Sequence, residues 1–170
     1  RYDWNSGASW IWVGLDEIPK HFFTMDTVLT IDANHNLEFF TMSGANYADR
    51  HTYDTSTVPN RSSYVTYGGS GQRQTDQFNW GDESKGMPLN ANTANYSFKA
   101  NIRAHVCIEA TKLTATSMVV NWKAQMTSDN GSAMMIRGLY RHLVSIESVT
   151  GMGFSFSAGN ISSVRTHVKS

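Results

Sequence analysis

The sequence predicts an all-β protein, an antiparallel two-sheet β-sandwich of jelly-roll type with about eight to ten strands. Three observations predict it. Apolar and polar residues alternate over long runs, Gly, Asn and Asp turn signals interrupt those runs at short intervals, and no segment carries the i, i+3, i+4, i+7 apolar stripe of a helix. Short strands at close spacing between such turns are the pattern of sandwiches and jelly rolls.

The clearest run is residues 96–110, YSFKANIRAHVCIEA. Tyr96, Phe98, Ala100, Ile102, Ala104, Val106, Ile108 and Ala110 share one face, and Ser97, Lys99, Asn101, Arg103, His105, Cys107 and Glu109 the other. This reads as one long strand with a buried and a wet side. A second run places Met118, Val120, Trp122, Ala124 and Met126 against Val119, Asn121, Lys123 and Gln125, after a short connection at 111–116. Asn130-Gly131 then gives a strong hairpin signal. Further strands are expected at Ser9–Leu15, Phe22–Ile31, Leu37–Met42, Ser63–Tyr67, Ala133–Tyr140, Leu143–Val149, Gly153–Phe156 and Ser162–Val168. Asp32-Ala33-Asn34-His35-Asn36 turns the chain between two of them. Residues 16–21, DEIPKH, are expected to form one helical turn.

A chain of 170 residues suggests a single domain over 1–170. Its first twelve residues hold Trp4, Trp10 and Trp12, an arm too apolar to stay wet, so packing on another subunit or on a particle is expected. Residues 43–95 are turn-rich and read as long loops carrying one or two short strands. Fourteen basic and fourteen acidic residues leave no net charge, so no basic excess points to nucleic acid. No apolar run reaches the ~18 residues of a membrane span, and residues 1–9 lack the basic and apolar regions of a signal peptide. The single Cys excludes a disulfide framework within one chain.

Motifs for chemistry are sparse. The six histidines include no pair at i, i+2, and His105 has only Arg103 and Cys107 beside it on its own strand, a poor zinc shell. Asp32–Glu38 begins like a calcium loop but has Leu37 where Gly belongs and Ser43 where the closing Glu belongs, so an ordinary turn is expected. No metal and no cofactor are therefore expected. Cys107 reads as structural rather than nucleophilic. Asp49, Asp54, Asp76, Asp82 and Glu83 share the loop region with Tyr47, Tyr53, Tyr67, Phe78 and Trp80. Those aromatics are the candidate contacts to a glycan, on which they could stack, or to a neighbouring subunit. No nucleophile elbow, phosphate loop or zincin motif occurs, and no enzyme is expected.

The segment 146–164, IESVTGMGFSFSAGNISSV, resembles the closing strands of a β-sandwich domain recurrent in tailed-bacteriophage virion proteins. Three other stretches are similar to that family in order and spacing: Trp12–His21 with its Ile18-Pro19, Phe39–Tyr47 running into a Gly-Ala-Asn-Tyr loop, and 96–110 followed by Lys112. The likeness spans about residues 10–165, with departures at Ser43, where the family has Asn, and at Arg165-Thr166-His167, where it closes on Leu-Tyr-Gly. The resemblance implies a structural or adhesive protein on the virion surface, in a capsid decoration or a tail fibre or receptor-binding apparatus, commonly as a homotrimer. Its partners would be identical subunits, other virion proteins and a host cell-surface glycan. The alternative is a carbohydrate-binding, lectin-like module on the same sandwich.

Overall fold

The computed structural model describes residues 2–4, 9–34, 37–44, 46, 49–51, 61–67, 73–76, 87–89, 98–127, 131, 133–156 and 159–170. The described chain is nearly all β. Its strands are β1 Tyr2–Trp4, β2 Trp10–Gly14, β3 Phe22–Ile31, β4 Leu37–Met42, β5 Arg61–Tyr67, β6 Arg73–Asp76, β7 Met87–Pro88, β8 Arg103–Thr114, β9 Ser117–Thr127, β10 Ala133–His142, β11 Gly151–Phe156 and β12 Ile161–Lys169. They form two antiparallel sheets, one of eight strands in the order β1-β12-β3-β8-β9-β10-β5-β6 and one of four in the order β2-β11-β4-β7. The all-β, two-sheet sandwich is therefore present. Among the described residues no helix is long and apolar enough to cross a membrane.

Alternation sets which side of each strand is buried. On β3, Phe23, Met25, Thr27, Leu29 and Ile31 are buried and Phe22 and Asp26 exposed; on β8, Ala104, Val106, Ile108 and Ala110 are buried. These residues meet Ile11, Val13, Leu37, Phe39, Met152, Phe154 and Phe156 of the smaller sheet in one core. Fully buried aromatics such as Phe39 and Phe154, 6.0 Å apart and edge to face, each contribute about 1.5–3 kcal/mol of apolar burial. Met118, Met126 and Met134 fill this core, while Met135 is only half-buried. Polar side chains are enclosed too: the Thr27 and Thr166 hydroxyls, opposite one another on β3 and β12, hydrogen-bond to each other.

Three local expectations are corrected. The long strand begins at Arg103, not within Phe98–Ile102, while Tyr96 and Ser97 lie outside the described residues. Asn101 adopts φ +59°, a left-handed conformation that Asn tolerates and that turns the chain. Its N–H donates to the Ile31 carbonyl at 2.7 Å, and the Ala100 N–H donates to Asn34 Oδ1 at 2.7 Å, so Ile102 is exposed. Leu143–Val149 is not a strand but a bend leading into a single 3₁₀ turn, Ile146–Ser148. There Ser145 Oγ accepts from the Glu147 N–H and the Ser148 hydroxyl donates to the Ser145 carbonyl, local bonds that compete with sheet pairing. Residues 16–21 form bends rather than a helical turn, held at either end by Leu15 N–H to the Thr150 carbonyl and Lys112 N–H to the His21 carbonyl.

Candidate functional site

The predicted site residues fall into three groups. Tyr47, Tyr53, Phe78 and Trp80 lie outside the described residues. Tyr67 ends β5 with its backbone opposite Met134, and Trp4 ends β1 opposite Val164; the side chains of both also lie outside what is described. Trp10 and Trp12 are on β2, opposite Ser155 and Gly153 of β11, and both are half-buried. The Trp-rich segment thus contributes a strand to each sheet.

Trp12 shapes the outer face of the smaller sheet. Its neighbours on that face are Gly14, Gly151 and Gly153. A β-carbon on Gly153 would run into the Ile11 carbonyl and the Trp12 backbone, and one on Gly151 would lie 2.9 Å from the Val13 carbonyl and 3.4 Å from the Trp12 ring. The glycines let β2 and β11 approach closely and leave the indole lying beside a floor without side chains. Farther across, Phe40 is fully buried, with the Arg50 guanidinium 5.6 Å from its ring centre.

The outer face of the larger sheet carries the most chemically specific cluster. Antiparallel pairing sets Cys107 of β8 opposite Asp26 of β3 and Lys123 of β9, while His167 of β12 lies opposite Asp26 from the other side. His105, two residues before Cys107, shares their face. Its Nε2 is 2.5 Å from Asp26 Oδ1 and 3.5 Å from Cys107 Sγ, and Cys107 Sγ is 3.6 Å from the same carboxylate oxygen. Its Nδ1 is 3.3 Å from Gln125 Oε1. Among the described residues this is the one group of three metal-ligating side chains with donor atoms within 4.8 Å of one another.

Cys107 and His105 do not form a nucleophilic pair of the usual kind. Burial, and then the Asp26 carboxylate, push the Cys107 thiol above its ordinary value, with Lys123 pulling weakly the other way. In a Cys-His-Asp relay the acid holds one ring nitrogen and the thiol meets the other. Here both meet Nε2. Beside Cys107 an open groove of about 690 Å³ runs over Glu109, Asn121, Lys123 and Arg137.

Sequence reasoning saw His105 and Cys107 on one strand but not the carboxylate beside them. Asp26 lies 79 residues away from His105, and only the β3–β8 register brings it in. The calcium-like segment is used differently: Asp32 accepts from the Asn160 backbone N–H at 2.7 Å and from the Asn160 side-chain amide at 3.1 Å. These bonds hold its carboxyl below the usual range and tie the turn after β3 to the start of β12.

A second histidine cluster joins His142 and Thr41, both buried between the sheets, to half-buried His51. His142 ends β10 with no exposure, its Nε2 3.3 Å from the hydroxyl of buried Thr41 on β4. That hydroxyl also lies 2.8 Å from His51 Nδ1, and the two rings are 6.0 Å apart. Burial, aided by His51, pushes His142 down to about 3, and burial also lowers His51. Compared with protein-family models and with curated proteins, the chain matches none.

Proposed function

We infer that the chain is a structural and adhesive block of a tailed-bacteriophage virion surface, decorating the capsid or forming part of the fibre and receptor-binding apparatus. It acts by packing against identical copies and other virion proteins. The observation that carries this reading is the outer face of the smaller sheet, where Trp10 and Trp12 stand half-buried beside Gly14, Gly151 and Gly153. Gly151 and Gly153 are themselves buried, with the Trp12 ring close over Gly14 and Gly151, so the apolar surface on this face is that of the two indoles, and large aromatics are the residues that anchor protein interfaces. The occupant proposed for it is a second copy of this chain. Zero net charge leaves little self-repulsion to oppose close packing of copies. A core filled from both sheets supplies the stiffness such a block needs.

Analytical sedimentation of the full chain tests the packing. The wild type is expected to sediment as a closed oligomer, a trimer by the resemblance, and Trp12→Ala as a smaller species with unchanged circular dichroism. A wild type that stays monomeric at high micromolar concentration overturns the packing role. Antibody labelling of phage particles tests the location, and particles that lack the chain overturn the virion assignment.

A further inference from the structure

We propose that Cys107, His105 and Asp26 form a surface site for a divalent transition-metal ion of the zinc class, held by one sulfur, one nitrogen and one oxygen. The site does not depend on the virion reading.

The argument is geometric. Zinc accepts thiolate, imidazole and carboxylate together at about 2.3, 2.0–2.1 and 2.0–2.2 Å in a tetrahedral arrangement. Those lengths imply edges of about 3.6 Å from sulfur to nitrogen or oxygen and about 3.4 Å from nitrogen to oxygen. The observed separations are 3.5 Å for Cys107 Sγ to His105 Nε2 and 3.6 Å for Cys107 Sγ to Asp26 Oδ1. Two of the three edges already fit. The third, 2.5 Å between Nε2 and Oδ1, is a direct hydrogen bond that opens by about 1 Å when an ion replaces the proton between them.

Three features support the assignment. All three donor atoms lie within 3.6 Å of one another, close enough to share a single ion. His105 Nδ1 faces Gln125 Oε1 at 3.3 Å, so the Nδ1–H can donate outward and leave Nε2 as the lone-pair nitrogen, the outer contact that orients metal-bound imidazoles. The ligands stand on two hydrogen-bonded strands, which fixes their backbones, while side-chain exposures of 40% for His105 and 61% for Asp26 leave a path for the ion. On binding, the Cys107 sulfur–hydrogen bond breaks, its proton passes to solvent and the sulfur lone pair bonds the ion; the proton held between His105 Nε2 and Asp26 Oδ1 leaves as well, by solvent exchange onto Nδ1 or to bulk water where Nδ1 already carries one, so that Nε2 and Oδ1 each offer a lone pair. The fourth donor is a water molecule on the open side. Mixed sulfur, nitrogen and oxygen donors favour zinc or cobalt over magnesium or calcium, which take oxygen alone.

The test titrates reduced, metal-free full-length protein with Co²⁺ and follows the visible and near-ultraviolet spectrum, then displaces it with Zn²⁺. The expected result is one equivalent bound, with a thiolate-to-cobalt charge-transfer band and tetrahedral visible bands. Cys107→Ser should abolish the charge-transfer band. His105→Ala and Asp26→Asn should each weaken Zn²⁺ binding at least tenfold. The three positions are on the wet face, so circular dichroism of the metal-free variants should match the wild type. No bound equivalent in the wild type, a spectrum without thiolate character, or wild-type affinity in His105→Ala and Asp26→Asn overturns the site.

Discussion

The His142 ring and the Thr41 hydroxyl meet at 3.3 Å between the two sheets, and the same hydroxyl meets His51 at 2.8 Å. This buried polar bridge joins the end of β10 to β4, where the core is otherwise closed by apolar side chains. Thr41 can donate to only one of the two rings, so at least one imidazole must act as donor toward it.

Acid should therefore unfold the protein earlier than its carboxylates alone would. His142 titrates near 3 when folded against 6.5 as a free side chain. Above about pH 6.5 both states are neutral and the group leaves stability unchanged. Below that, the unfolded chain takes up a proton that the folded core excludes, so stability falls with falling pH down to about 3. Lowering the pH from 7 to 5 should cost on the order of 2 kcal/mol from this residue. Denaturant melts at the two pH values measure it. His142→Phe should flatten the dependence, and an unchanged slope in that variant rules the mechanism out.

Gly138 should not accept alanine. It lies opposite Trp122 on the inner face, and an added β-carbon would fall inside the indole. Trp122 has little room to move, being 3% exposed with its Nε1–H donating to the Leu89 carbonyl at 3.2 Å. Gly138→Ala should destabilise by about 1–3 kcal/mol. Combining it with Trp122→Phe should give less than the sum of the two single losses, because the smaller ring vacates the contested space. A thermal melt of the four proteins decides it.

Much of the sandwich was legible because one buried face forces a period of two. Phe22–Ile31 and Leu37–Met42 end where the alternation and the turn residues end. The same signal overran at Phe98–Ile102, since a left-handed Asn101 breaks a strand without breaking the pattern. It fell silent at β6, whose residues Arg-Gln-Thr-Asp carry no apolar face and are held by pairing with β5. The metal-ligating cluster was half legible. His105 and Cys107 stand two apart in the sequence, whereas Asp26 joins them through a register that alternation alone does not specify.

Asn101 should accept glycine and reject valine. Its φ of +59° is open to glycine at no steric cost and closed to a β-branched residue. The position also matters to the chain path, because the Asn101 N–H donates to the Ile31 carbonyl and so fixes the start of β8 beside the end of β3. Asn101→Val should lose about 1–2 kcal/mol and Asn101→Gly should stay within about 0.5 kcal/mol of wild type. Equal stabilities for the two variants would refute a left-handed turn here.

The sidedness of β10 gives a test within one strand. Ile136 is 1% exposed and faces the core, while Leu139, three residues on, is 43% exposed on the wet face that lines the groove beside Cys107. Both are branched aliphatics, so hydrophobicity alone would rank them together. Burial separates them. Ile136→Ala deletes packed atoms and leaves a cavity, for a loss of about 2–5 kcal/mol. Leu139→Ala removes a side chain on the solvent face, already partly in water, and should stay within about 0.5 kcal/mol of wild type. Because Leu139 stands on the opposite side of the strand from the core, a one-residue slip in the β9–β10 pairing would exchange the two outcomes. Chemical denaturation of the two variants therefore reads the register directly: a large loss at Leu139 with a small one at Ile136 would mean that the larger sheet presents its other face to the core.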